Sequence, residues 1–361
     1  MTMKIKFLLL SAITLFFYIS THAQEKTSVI SGIVLDENDK PIPGVNVFIS
    51  GTTLGTSSDV DGRFSFSIKN MLNDQYELIF SNIAYKAFKY RFRTPLPDNK
   101  LALKVAMEKK VQNLKAINVV GERPKNWSKN LSLFKKSLIG ASANAYETTL
   151  LNPEVLTFER QGKRLIAKAE QDLRLRNKRL CYDLTVNLRI FNWSLKKDEG
   201  GFLFNYINFR SIQNQKEQTS YVKKTASRRL ETYKRSKRRF FKLLNQNKDI
   251  DDYDYNIRKN KIELFAQRDS ISYLELKEMG ATELFEQTYR NMYIYNLKKA
   301  RKPLKVSYKS FPSELKTIEG RPIVVDANGN ILNAADVAIS GYWARQRTAD
   351  MLPSNYAPLG N

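Results

Sequence analysis

The sequence predicts a multidomain chain: an N-terminal seven-stranded β-sandwich over about 27–110, then a basic α+β domain with an antiparallel sheet over 127–361. Three observations carry this. Short apolar runs with period-two alternation, broken by Gly, Pro, Asn and Asp about every 8–12 residues, fill the first third. Glu122-Arg123-Pro124-Lys125 ends that pattern, within a stretch, 111–126, that reads as a linker. Beyond it the charge changes: 24–124 holds 14 basic and 11 acidic residues, net +3, whereas 125–361 holds 44 and 25, net +19.

Ahead of the sandwich, 1–23 reads as a secretory signal peptide. Lys4 and Lys6 give a short positive region, 7–19 an apolar stretch, and Thr21-His22-Ala23 ends on a small residue suited to cleavage before Gln24. An uncleaved anchor over 7–19 is the rival reading. His22 is the single histidine of the 361 residues and Cys181 the single cysteine. The processed chain, at +22, therefore has no imidazole. That excludes Ser-His-Asp and Cys-His nucleophiles, histidine general bases and His/Cys metal sites, so no catalytic residue, cofactor or metal is expected. Cys181 lies far from residue 23, which excludes lipid attachment at a new N-terminus, and a lone cysteine forms no internal disulfide. Beside Leu180 and Tyr182 it reads as a small buried apolar residue. After residue 23 no apolar run approaches the ~20 residues of a membrane helix. The expected location is the periplasm or the outer membrane, and not as a lipoprotein.

The sandwich strands follow in order. The first is 29–35, closed by the polar turn 36–40. Pro41 and Pro43 remove backbone donors and fix φ, which suits an edge or strand entry. Next comes 45–49, then the turn 51–55, then Asp59-Val60-Asp61-Gly62, where glycine supplies positive φ. Arg63-Phe64-Ser65-Phe66-Ser67-Ile68 alternates cleanly. Strands at 76–80, 88–92 and 101–107 complete the set.

Gly32-Ile-Val-Leu-Asp36, Pro41-Ile-Pro-Gly-Val45, Gly51-Thr-Thr-Leu-Gly-Thr56 and Asp59-Val-Asp-Gly62-Arg-Phe64, in that order, resemble the carboxypeptidase regulatory-like domain over about 28–110. Ser81-Asn-Ile-Ala-Tyr85 resembles its later motif, with Ala84 where glycine is usual. The resemblance implies a transthyretin-like, seven-stranded sandwich. It does not imply peptidase activity, since a zinc catalytic domain needs histidines that this chain lacks. Asp59 and Asp61 read as turn caps or, with backbone oxygens, as calcium ligands, although two aspartates fall short of the 6–8 oxygens calcium takes.

Leu114-Lys-Ala-Ile-Asn-Val-Val-Gly121 resembles the segment after this sandwich in TonB-dependent outer-membrane transporters. There a plug and a 22-strand barrel follow. At ~10 residues per strand the wall alone needs ~220 residues. Only 237 follow Pro124, many of them in basic helical stretches, so a transporter is excluded. A TonB-contacting strand and a plain last strand or linker both remain.

In the second domain, Leu131, Phe134, Leu138, Ala141 and Ala145 predict one helix over 131–146, stopped by Asn152-Pro153. A hairpin joins 155–158 to 164–167 around Gln161-Gly162, and a short strand covers 173–175. Tyr182, Leu184, Val186, Leu188 and Ile190 share one face of a strand, and 202–209 alternates again. Ala226, Leu230, Tyr233, Phe240 and Leu244 predict a further helix, interrupted at Lys237. Then come a polar segment at 249–255, a helix at 274–289, strands at 292–297, 304–308 and 323–326, a tight turn at Asn328-Gly329, and 337–343. The aromatic and charged tail ends the chain. A looser resemblance links Asn152-Pro153, Asn177, 233–240, 326–329 and 341–356 to exported Bacteroidota proteins with the same leading sandwich. There the helix carries Tyr-x-Gly-Ser-x-x-His-Phe; here Arg235 and Arg239 stand at the glycine and histidine positions.

The basic helix decides the functional expectation. Arg228, Arg229, Lys234, Arg235, Arg238 and Arg239 are the candidate anion- or partner-binding residues, against the alternative of a solvated surface helix with a core-facing stripe. The leading expectation is a non-enzymatic envelope binding or docking protein that recognises anionic lipid, lipopolysaccharide or an acidic protein surface. Nucleic acid is not an expected partner of an exported chain. The alternatives are an accessory subunit of a TonB-linked uptake or outer-membrane assembly complex, with a barrel partner, and a carboxylate-only hydrolase acting on glycans. The carboxylates at Asp249, Asp251, Asp252 and Asp254 form only an acidic loop.

Overall fold

The computed structural model describes residues 27–69, 73, 75–110, 123–196, 199–212, 219–246, 255–257, 264–268, 293–297, 303–318 and 321–358. The expected signal peptide, the 114–121 segment, the acidic loop and the 274–289 helix lie outside them.

The first part packs two sheets face to face. Strand β1 (Ser28–Asp36) lies between β4 (Arg63–Ile68), antiparallel, and β7 (Lys100–Met107), parallel. The facing sheet runs β3 (Gly55–Ser57), β2 (Asn46–Ile49), β5 (Gln75–Asn82), β6 (Tyr85–Arg93). Period two puts Phe64 and Ile68 on the buried face of β4, where they meet Ile30, Val34, Val47 and Phe80. Phe64 and Phe80 meet edge to face at 5.5 Å. At the turn before β4, the Asp59 carboxylate accepts the Asp61 and Arg63 amides at 3.0 and 2.8 Å, and Gly62 has φ +71°. Asp59 thus caps the turn, and no group of three metal-ligating side chains occurs among the described residues.

The second part builds a meander. Its sheet runs β8 (Thr148–Leu150), β11 (Leu173–Asn177), β12 (Tyr182–Ser194), β10 (Arg164–Ala169), β9 (Leu156–Gln161), with β13 (Glu199–Ser211) along β12. Helix α1 (Trp127–Ile139) covers one face, with Phe134 fully buried 4.6 Å from the Phe191 ring. Truncating such a side chain to alanine costs about 3–5 kcal/mol. The single helix expected over 131–146 is two. Gly140, at φ +105°, ends α1, and the Ser142 hydroxyl caps α2 (Ala143–Tyr146). The single face expected for 182–190 is likewise broken. Tyr182, Leu184 and Val186 point inward, then a bulge at 187–190 shifts the register against β13. Phe191 and Trp193 are buried instead, and Ile190 is left 43% exposed. One extra residue in a strand moves every later side chain to the other face.

The expected second domain holds two separate cores. Beyond the meander, α3 (Thr219–Lys234) leads into α4 (Lys237–Asn245). Phe240 and Phe241 pack under the sheet β14 (Tyr255–Ile257), β17 (Leu304–Tyr308), β18 (Phe311–Thr317), β20 (Val337–Gly341), together with Trp343 of α5 (Tyr342–Arg345). A third sheet orders β15 (Leu264–Arg268), β16 (Tyr293–Leu297), β19 (Ile323–Val325). The Asn328-Gly329 turn forms as expected: Gly329 has φ +83°, and Asp326 accepts the Asn328 and Asn330 amides at 2.9 and 2.8 Å.

The sandwich is seated on the meander through the β2–β3 turn. The Gly51 amide donates to the Ile207 carbonyl at 2.7 Å, and the Phe209 amide to the Thr52 carbonyl at 3.2 Å, so the turn adds to the open edge of β13. The tail closes over it: the Ser354 amide donates to the Gly51 carbonyl at 2.7 Å, and Asn355 exchanges hydrogen bonds with Thr53. Phe48, Ile79 and Tyr206 form a small buried cluster between the two parts.

Candidate functional site

Helices α3 and α4 meet at a corner that places the six candidate cations in different settings. Ser236 causes the corner: its hydroxyl accepts the Arg239 amide at 3.1 Å and caps α4. Arg229 turns toward the meander. Its guanidinium stacks 3.9 Å over Tyr182 and donates to the Leu180 and Cys181 carbonyls at 2.8 and 3.1 Å. Arg238 turns toward the tail, donating to the carbonyls of Leu352, Pro353 and Tyr356 at 3.1, 2.8 and 3.0 Å. Burial pulls its pKa below the usual arginine value. Arg239 is buried. Arg235 pairs with Glu231 one turn back and lies 4.4 Å over Phe311. Arg228 and Lys234 are half-buried on α3, where Lys223 and Lys224 are exposed.

A groove of about 460 Å³ runs beside Arg229, between Tyr182, Leu230, Pro353 and Tyr356. Burial raises the Tyr182 and Tyr356 hydroxyls above the usual tyrosine pKa, so both remain neutral donors.

A second concavity, about 400 Å³, opens where the sandwich meets the outer face of β11, β12 and β13. The register sets Arg176, Asp183 and Arg210 in one row and Arg174, Thr185 and Asn208 in the next. Beyond these, Asp172 accepts the Tyr206 hydroxyl at 2.9 and 3.0 Å and the Asn187 amide at 2.6 Å. Burial and that carboxylate push the Tyr206 hydroxyl far above its ordinary pKa. Asp183 is held by both arms of the Arg176 fork at 2.8 and 3.0 Å. Asp172 sits level with Asn187, four residues along β12 from Asp183, so their backbones lie about 13 Å apart. Each of the two carboxylates is engaged by its own donors, Asp183 by Arg176 and Asp172 by Tyr206 and Asn187. The sequence carries half of this arrangement, in the polar positions 183, 185 and 187 that alternate with the core face. The opposing wall belongs to strands more than a hundred residues earlier and leaves no such signal.

Residues 30–119 match the CarboxypepD_reg-like domain family. This region is homologous to N-terminal regions of TonB-dependent receptors. The chain is 32% identical over 94 residues to the TonB-dependent receptor P39 of Formosa agariphila, covering 26% of this chain and 8% of that protein. It is 42% identical over 64 residues to the TonB-dependent receptor SusC of Bacteroides thetaiotaomicron, covering 18% and 6%. The chain thus spans less than a tenth of either receptor. Among solved structures, 3-chlorocatechol 1,2-dioxygenase from Rhodococcus opacus 1CP shares 12% identity at a TM-score of 0.20, over 23% of this chain and 60% of that one, a likeness too slight to assign a fold.

Proposed function

We propose that this protein is a non-enzymatic docking protein of the bacterial envelope, working with a TonB-linked outer-membrane system. The observation that carries the reading is the relation of residues 30–119 to the receptors' N-terminal regions. In this chain the transthyretin-like sandwich is a docking module fixed to a basic α+β domain, exported by its signal peptide and held at the outer membrane as an accessory subunit. No barrel is needed in the chain itself.

The basic domain faces an anionic partner surface. Arg229 and Arg238 supply positive potential from fixed positions, since a guanidinium bound to carbonyls keeps its charge, and Arg235 and Arg239 lie beside them on the same pair of helices. Arg228 and Lys234 make the direct contacts. Each cation near an anionic membrane surface contributes roughly 1 kcal/mol. The test is co-sedimentation of the processed full chain with phosphatidylglycerol vesicles. Raising salt from ~50 to ~500 mM, which shortens the screening length severalfold, is expected to release the protein. Arg228→Glu with Lys234→Glu is expected to weaken binding by about tenfold or more. Binding indifferent to both removes the anionic-surface reading.

A further inference from the structure

We propose that the cleft between the sandwich and the outer face of β11–β12–β13 binds an acidic sugar: a polyhydroxylated ring carrying a carboxylate or a phosphate. The inference stands apart from the docking reading, because no residue of α3 or α4 lines this cleft.

Its charge is the first argument. The two carboxylates on the floor already have donors, Asp183 from Arg176 and Asp172 from Tyr206 and Asn187. The cations are less committed. Arg174 is exposed and has no side-chain hydrogen bond among the described residues. The Arg210 side chain is 81% exposed and reaches Asp183 only at 3.9 Å. Lys110 adds a third cation from the sandwich side. Two guanidinium forks facing one cavity match the paired oxygens of a carboxylate or phosphate.

The neutral lining is the second argument. Thr185 and Asn208 occupy the row between the charged positions, with Asn46 and Asn82 across the cleft and Gln171 at its end. Amides and hydroxyls both donate and accept, as ring hydroxyls require. Ile83, 77% exposed, stands at the cleft as an apolar surface for the C–H face of a ring. The volume of about 400 Å³ suits one or two rings. A lipid tail needs apolar depth, and an extended peptide needs an open strand edge; here the lining residues are mostly polar or charged, with Phe48 and Ile83 the apolar ones.

The test is titration calorimetry on the processed full chain with four probes: digalacturonate, glucose 6-phosphate, maltose and inorganic phosphate. At least one of the first two is expected to bind about tenfold or more tightly than maltose and than inorganic phosphate, and which of them binds distinguishes the carboxylate from the phosphate. Arg174→Gln with Arg210→Gln is expected to lose about tenfold or more at an unchanged melting temperature, since both side chains are exposed. Arg174→Lys, which keeps the charge and loses the fork, falls between. Asn208→Ala weakens the acidic sugar and leaves inorganic phosphate unchanged. Arg228→Glu with Lys234→Glu leaves sugar binding intact, which separates failure of this site from failure of the docking surface. Absence of binding by both acidic probes up to about 10 mM, equal affinity for maltose or inorganic phosphate, or wild-type affinity in the folded double variant overturns the proposal.

Discussion

Arg238 joins residues distant in sequence. Its three bonds to the carbonyls of Leu352, Pro353 and Tyr356 hold the tail against α4. Hydrogen bonds from a charged donor contribute about 1.5–3 kcal/mol each when buried, and their loss leaves carbonyls without a donor. Arg238→Ala is therefore expected to cost about 3 kcal/mol or more in urea denaturation and to expose the tail to trypsin at Arg345 and Arg347. Arg228→Ala, which removes no side-chain hydrogen bond among the described residues, is expected to change stability by less than about 0.5 kcal/mol. Asp36 gives a pH test. The Lys40 amide, then the Asn38 amide, hold its carboxyl below the usual aspartate range. A carboxylate with a depressed folded pKa stabilises above its unfolded value and loses that contribution as pH falls through the folded one. Stability is expected to drop below about pH 4, and Asp36→Asn to flatten that part of the profile.

At the scale of elements, sequence and structure part at identifiable places. The strands of the sandwich were legible because one buried face imposes period two and the turns carry Gly, Pro and Asp. The β12 bulge was not, because an apolar run through Leu188 and Ile190 reads as continuous whether or not one residue is skipped. The break between α3 and α4 was legible as the interruption of the apolar spacing at Lys237, the first residue of α4, and Ser236 just before it is the capping residue. Ser236→Ala is expected to cost about 1 kcal/mol in thermal or chemical denaturation. Gly329, at φ +83°, lies so close to α4 that a Cβ would collide with the Arg238 carbonyl. Gly329→Ala is expected to cost more than about 1 kcal/mol, from both strain and contact.

Over the whole molecule, the tail makes the difference between two linked parts and one body. It bonds to α4 through Arg238 and to the β2–β3 turn through Ser354 and Asn355. None of this was legible, since pairs such as Asn355 and Thr53 are 302 residues apart and carry no local pattern. The basic helix was legible as charge, but not the direction of each guanidinium, which depends on where carbonyls and rings from other elements fall. The central claim concerns what the sandwich docks to. Chemical cross-linking in intact outer membranes, read by mass spectrometry, tests it most directly. The account predicts links from the exposed sandwich lysines Lys86, Lys89 and Lys104 to a TonB-linked barrel protein recovered in near-equal amount. A chain recovered without such a partner, or linked to it only through α3 and α4, contradicts it.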